Sequence, residues 1–92
     1  MAPMKKEIPK VSSGIVERVV NYVIREIVDD PEAVEVVMIE QSPNEVLAEV
    51  RTNKSDMGRV IGRRGRVAKA IRTVAQAAAD EEGIEAGVEF LD

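Results

Sequence analysis

Between Val60 and Lys69 the sequence reads VIGRRGRVAK: four positive charges, no negative one, and glycines at 62 and 65. Glycine permits backbone angles that a side chain forbids and lets another backbone approach closely, so amides in such a loop can turn outward. If a helix begins just behind them, those amides and the helix dipole together make a seat for a phosphate. Arg63 and Arg64 project from the loop itself. Arg66 and Lys69 fall on the first turns of the following helix, where positive charge opposes the dipole, so local helix stability gives no reason for them. An anion bound at that end does.

The charge distribution points the same way. Arg51, Lys54, Arg59, Arg63, Arg64, Arg66, Lys69 and Arg72 crowd a segment whose one acid is Asp56, a local charge of +7 in a chain of net charge −4, so that the other residues sum to −11. An exposed ligand feels charges within a Debye length of about 8–10 Å, so the basic segment acts as a face for a polyanion and the acidic remainder limits non-specific adhesion. With 92 residues, no cysteine and no histidine, the chain is expected to form one small domain. Disulfides, thiolate metal sites and histidine or cysteine catalysis are excluded. The expectation is therefore a non-enzyme with neither metal nor cofactor. No apolar run approaches the roughly 18 residues that span a bilayer, and no apolar run follows the N-terminal lysines, so the chain reads as soluble and cytoplasmic.

Residues 1–11, with two prolines and no periodicity, read as a flexible tail, leaving 12–92 as the folded domain. In SSGIVERVVNYVIREIVDDP the apolar pairs recur four apart, the stripe of an amphipathic helix that Ser12 or Ser13 can cap and that ends near Asp29, ahead of Pro31. AVEVVMIEQ and EVLAEVRT are valine-rich and partly alternating, with Ser42, Pro43 and Asn44 between them as a turn, and so form a hairpin. Val46, Ala48 and Val50 share one face of the second strand, as in a sheet covered on one side by helices. Ser55 or Asp56 can cap a short helix over Met57–Ile61, which Gly62 interrupts. A longer helix from Gly65 to Asp80 buries Val67, Ala68, Ile71, Val74, Ala75 and Ala78, keeps Thr73 and Gln76 off that stripe, and ends before Gly83. IEAGVEFLD alternates as a third strand. The fold class is α+β in the order α-β-β-α-α-β, a three-stranded sheet packed on one face by helices.

Plainer readings compete at several positions. GRRG, taken alone, is a tight helix-to-helix turn. Gly58, four before Gly62, is expected to allow close helix packing and is no ligand. Met57, Val60, Ile61 and Ile71 are core residues by pattern, although some can floor a groove beside the loop. Asp80, Glu81 and Glu82 form a solvated helix end, since three consecutive acids cannot share one face. A nucleotide P-loop needs a longer glycine loop closed by Gly-Lys-Ser or Gly-Lys-Thr, which is absent. A helix-turn-helix matches in outline, but Val67, Ala70, Thr73 and Ala77 leave few long polar side chains to reach base edges.

VIGRRGRVAKAI resembles the KH-domain signature, a Val-Ile-Gly-x-x-Gly core followed by a basic residue and an aliphatic one. Two strands before the helix pair and one after it resemble the type II, prokaryotic arrangement, and with the leading helix the likeness runs from Ser12 to Asp92. The stretch DMGRVIGRRGRVAKAIRTV is most similar to the small single-KH bacterial RNA-binding proteins of the KhpA family. This resemblance implies that Gly62, Arg63, Arg64 and Gly65 clamp the backbone of about four nucleotides of single-stranded RNA, with Arg66 and Lys69 in electrostatic support. It also implies an apolar base groove for which Val60, Ile61, Val67 and Ile71 are candidates. Ala68 stands where many KH domains carry a bulky aliphatic residue. By the same likeness, partners include a second copy of the chain and a larger KhpB/Jag-type KH protein, and the role is that of an RNA chaperone or post-transcriptional regulator.

With two aromatic residues, Tyr22 and Phe90, the sequence lacks the stacking platform that supplies about 1–3 kcal/mol per base, so RNA binding is expected to be weak and loosely specific. Pairing with a second domain would compensate through avidity. Two alternatives remain: a dimerising protein-interaction adaptor whose basic loop meets an acidic protein, and helix-turn-helix binding of duplex DNA.

Overall fold

The computed structural model describes residues 11–91, with side chains from Gly14 onward. Helix α1 (Val11–Ile27) is followed by a 3₁₀ turn at Pro31–Ala33 and the hairpin of β1 (Glu35–Ser42) and β2 (Glu45–Arg51). Helices α2 (Lys54–Ile61) and α3 (Arg66–Asp80) flank a 3₁₀ turn at Arg63–Gly65, and β3 (Glu85–Leu91) closes the chain. The order is the expected α-β-β-α-α-β. In the sheet the strands lie β1-β2-β3, with β1 antiparallel to β2 and β3 parallel to it. A parallel neighbour cannot be reached by a tight turn, so the α2–α3 pair is the crossover that the topology requires.

Helices cover one face of this sheet. From α1, Val16, Val20 and Ile24 recur every fourth residue and are fully buried against Val46, Ala48 and Val50 of β2 and Val88 of β3. On α3 the buried face is Ala68, Ile71, Ala75, Ala78 and Ala79, four alanines and one isoleucine, so the helix backbone can lie close to the sheet. Burying each full-sized aliphatic side chain contributes about 1.5–3 kcal/mol before chain entropy is subtracted.

Several boundaries and roles differ from the sequence reading. Helix α1 is already running at Val11, which takes Ser12 and Ser13 into its first turn rather than leaving them as caps, and it ends at Ile27. The tail expected over residues 1–11 loses Val11 to the helix, and its other residues lie outside those described. Val74 is 42% exposed and Ala79 is fully buried, so the covered stripe of α3 takes in Ala79, leaves Val74 outside and holds Val67 half-buried at its margin. The cap of α2 is Asn53, whose Oδ1 accepts from the Ser55 amide at 3.1 Å and from the Ser55 hydroxyl at 3.1 Å.

Asp56, expected as a cap, is buried to 1% and does something else. Its Oδ1 and Oδ2 accept the backbone N–H groups of Asp29 and Asp30, each at 3.1 Å. Those amides follow the end of α1, where the helical ladder has run out, so one carboxylate satisfies two donors and ties α2 to the α1–β1 connection. Arg59, one turn further along α2, adds a two-pronged contact to the Asp29 carboxylate at 3.0 and 3.3 Å. Gly58 does not mediate packing: a Cβ there would meet nothing within 4 Å.

Candidate nucleic-acid interface

The two hydrogen bonds of Asp56 hold α2 in place, and the direction of its last turn sets the loop that follows. The Gly62 amide still donates to Gly58 O at 2.8 Å, closing α2, but the Gly62 backbone then swings to φ 79°, ψ 170°. That region is open essentially to glycine alone. A Cβ on Gly62 would collide with the Val67 side chain and stand 2.8 Å from the Val67 backbone nitrogen. Gly62 is thus required twice, by its backbone angle and by the close approach of α3. Gly65 turns through the left-handed region at φ 72°, and Arg64, at φ 58°, is the one non-glycine with positive φ among the described residues.

Three of the four loop residues, Gly62, Arg64 and Gly65, therefore have backbones set apart from the helices on either side. The Gly65 amide is used by Gly62 O at 3.1 Å and the Arg66 amide by Arg63 O. The amides of Arg63 and Arg64 have no acceptor among the described residues. Arg63, Arg64, Arg66 and Lys69 are all exposed, and the first turn of α3 contains no acid.

Of the eight basic residues between 51 and 72, two are engaged elsewhere. Arg59 pairs with Asp29, and the Arg72 Nε donates to Val88 O at 3.2 Å with its guanidinium over the Phe90 ring. Arg51, Lys54, Arg63, Arg64, Arg66 and Lys69 have no ion-pair partner among the described residues. The sequence-predicted cluster of Gly62, Arg63, Arg64, Gly65, Arg66 and Lys69 comes together as one continuous feature of the surface.

The groove candidates divide. Val60 and Ile71, 0% and 3% exposed, belong to the core and line no surface. Ile61, 37% exposed, and Val67, half-buried beneath Gly62, are the two that border the loop. The sequence reading missed that Gln76 is a working residue of the strand edge: its Oε1 accepts the Ala86 N–H at 3.1 Å while its Nε2 bonds Asp80 Oδ1 at 2.8 Å. A polar residue beside an alanine-rich helix stripe was the available signal.

Residues 17–90 match the family described as KhpA/KhpB, KH domain. The chain belongs to this KH-domain family. Its element order is the type II KH arrangement, and GRRG is its Gly-x-x-Gly loop. A KhpA/KhpB-family relative named RNA-binding protein KhpA, from Leifsonia xyli subsp. xyli, is 48% identical over 67 residues, covering 73% of this chain and 87% of the relative. A protein of the same name from Clostridium perfringens is 42% identical over 77 residues, covering 82% and 99%. Among solved structures, a crystal structure of Era in complex with MgGDPNP and nucleotides 1506–1542 of 16S ribosomal RNA superposes with a TM-score of 0.58 at 20% identity. It covers 98% of this chain but 34% of the Era chain, and so shows the fold alone.

Proposed function

We propose that this KH domain is a non-catalytic, single-stranded RNA-binding module in which Gly62–Gly65 holds the RNA backbone. The observation that carries this reading is the coincidence of two unpartnered backbone amides with four exposed, unpaired cations at one helix junction. Phosphate oxygens accept from the amides of Arg63 and Arg64, while Arg63, Arg64, Arg66 and Lys69 neutralise charge and relieve the electrostatic cost of their crowding at the start of α3. Ile61 and Val67 offer the first base an apolar border. The names of the relatives, RNA-binding proteins of which the matches cover 87% and 99%, support the same reading.

A domain that grips so few nucleotides gains by duplication, and the family name suggests the means: pairing with a second copy or with a KhpB-type KH protein. Acting on transcripts as a chaperone or post-transcriptional regulator in the cytoplasm is consistent with this. Among the described residues no helix is long and apolar enough to cross a membrane. The adaptor reading retains one specific support, the exposed Val37 and Ile39 on the uncovered face of β1.

Fluorescence anisotropy of short labelled single-stranded RNA, with duplex DNA alongside, separates these readings. For about four neutralised phosphates the plot of log K against log salt falls with a slope near −3, and Arg63→Asp/Arg64→Asp abolishes binding while the far-UV circular dichroism is unchanged. RNA affinity that survives in the double variant removes the clamp, and a preference for duplex DNA restores the helix-turn-helix reading.

A further inference from the structure

The side of α3 that faces the free edge of β3 carries Lys69, Arg72 and Gln76, spaced so that they share one helix face. Two of them reach the strand. Gln76 takes the Ala86 N–H and extends Nε2 toward Ile84 O at 3.4 Å, and Arg72 donates Nε to Val88 O at 3.2 Å. Covering an edge strand protects it from pairing with another chain, and for Gln76 that, with its bond to Asp80, accounts for the whole side chain.

It does not account for Arg72. A guanidinium has five N–H donors, and Arg72 uses one of them. Its Cζ lies 5.4 Å from the centroid of Phe90, so the head group is held by a hydrogen bond on one side and a ring face on another. The Nη1 and Nη2 donors have no partner among the described residues. A long, flexible side chain has been fixed in place with its fork left over. Along α3, Arg72 lies six residues beyond Arg66, about 9 Å at 1.5 Å per residue, a step or two along a single strand from the GRRG loop.

Resting on the proposed RNA-binding reading, we infer that Arg72 reads a guanine in the nucleotide that follows the clamped phosphates. Two side-by-side donors match two side-by-side acceptors, which guanine presents as O6 and N7. Adenine places an amino group beside N7 and meets the fork with a donor. Uracil has no adjacent acceptor pair. Cytosine also has one in O2 and N3, so the cytidine ten-mer in the test below decides between the two. A phosphate would also accept two bonds from the fork, but a phosphate contact gives no preference among bases, which the test below reads directly. The edge that Gln76 and Arg72 share is thus divided between fold protection and base reading.

The test uses uridine ten-mers carrying one central guanosine, adenosine, cytidine or 7-deazaguanosine, the last lacking N7, titrated by anisotropy against the full chain. Wild type is expected to prefer guanosine over adenosine and over 7-deazaguanosine by roughly ten-fold, as for one bidentate contact in an exposed setting. Arg72→Lys keeps the charge and loses the fork, and its preference falls to within about two-fold at whatever affinity remains. Arg63→Asp/Arg64→Asp lowers binding to every ten-mer together, so failure of the clamp and failure of the reader give different patterns. Equal wild-type affinities for guanosine and 7-deazaguanosine overturn the inference without any variant. So does cytidine bound as tightly as guanosine, a preference that survives Arg72→Lys, or wild type that binds none of the four.

Discussion

Replacing Gly62 by alanine tests whether the loop is fixed by α3 or merely tolerated beside it. At φ 79°, ψ 170° an alanine is forced into a region that costs about 1–3 kcal/mol. Its Cβ would also stand 2.8 Å from both the nitrogen and the Cβ of Val67, so the first turn of α3 must shift, adding an overpacking cost of about 1–3 kcal/mol. The sum is about 2–6 kcal/mol, a large part of the roughly 5–14 kcal/mol expected for a chain of this size. At about 4–8 °C per kcal/mol, the melting temperature should fall by at least about 8 °C.

Gly65 provides the internal comparison. Its φ of 72° and ψ of 17° are left-handed, but a Cβ there meets nothing within 4 Å, so Gly65→Ala should cost only the roughly 1–2 kcal/mol of the backbone conformation. Gly58, helical, exposed and equally open, should become more stable by up to about 1 kcal/mol as alanine. Thermal and urea unfolding of the three variants should therefore rank Gly58→Ala above wild type, then Gly65→Ala, then Gly62→Ala. Equal losses at 62 and 65 would mean that Val67 does not press on the loop, and a larger loss at 65 would refute the geometry outright.

Asp56→Asn should lower stability by about 2 kcal/mol in urea unfolding, because one of the amides of Asp29 and Asp30 then faces an amide donor instead of a carboxylate oxygen. Arg64→Gly should leave stability unchanged or raise it by up to about 1 kcal/mol, since glycine removes the left-handed strain, while RNA binding weakens and the salt slope drops by about 0.7. Arg59→Ala should change stability by less than about 0.5 kcal/mol, its partner Asp29 being largely exposed, and should weaken RNA affinity far less than Arg63→Ala in the same anisotropy assay.

The elements that the sequence made legible are those whose pattern reports burial directly. The four-residue repeat of Val16, Val20 and Ile24 and the alternation of Val46, Ala48 and Val50 translate into a covered sheet face without further information. GRRG was legible as a break between two helices, because glycines at 62 and 65 interrupt the helical period. What escaped was decided by tertiary partners. Asp56 sits within the first turn of α2, where capping is the local expectation, and its actual role depends on amides 26 and 27 residues earlier. Val74 fits the period of α3 as well as Ala79 does, and only the packing of the folded helix decides which of the two is covered. Val60 and Ile71 pattern as either core or groove, and the depth of the α2–α3 packing assigns them to the core.

The arrangement of acids completes the electrostatic argument. On the uncovered face of the sheet, the parallel register sets Glu45 beside Glu85 and Glu49 beside Glu89, so like charges neighbour one another across β2 and β3. Such pairs are mildly destabilising, and the fold does not require them, because any polar residue satisfies a solvated strand face. Their consequence lies in the field. The GRRG end of the helix layer carries four unpaired cations, and the uncovered sheet face carries Glu45, Glu49, Glu85 and Glu89 with Arg51 at one end, so the field over the domain is uneven. A polyanion approaching the acidic face is repelled and one approaching the loop is drawn in, which gives a chain of net charge −4 a directed encounter with a phosphate backbone. Local helix energetics argue against Arg66 and Lys69, and local strand energetics argue against Glu49 and Glu89. On the RNA-binding reading proposed above, both departures favour the approach of a phosphate backbone at the GRRG loop.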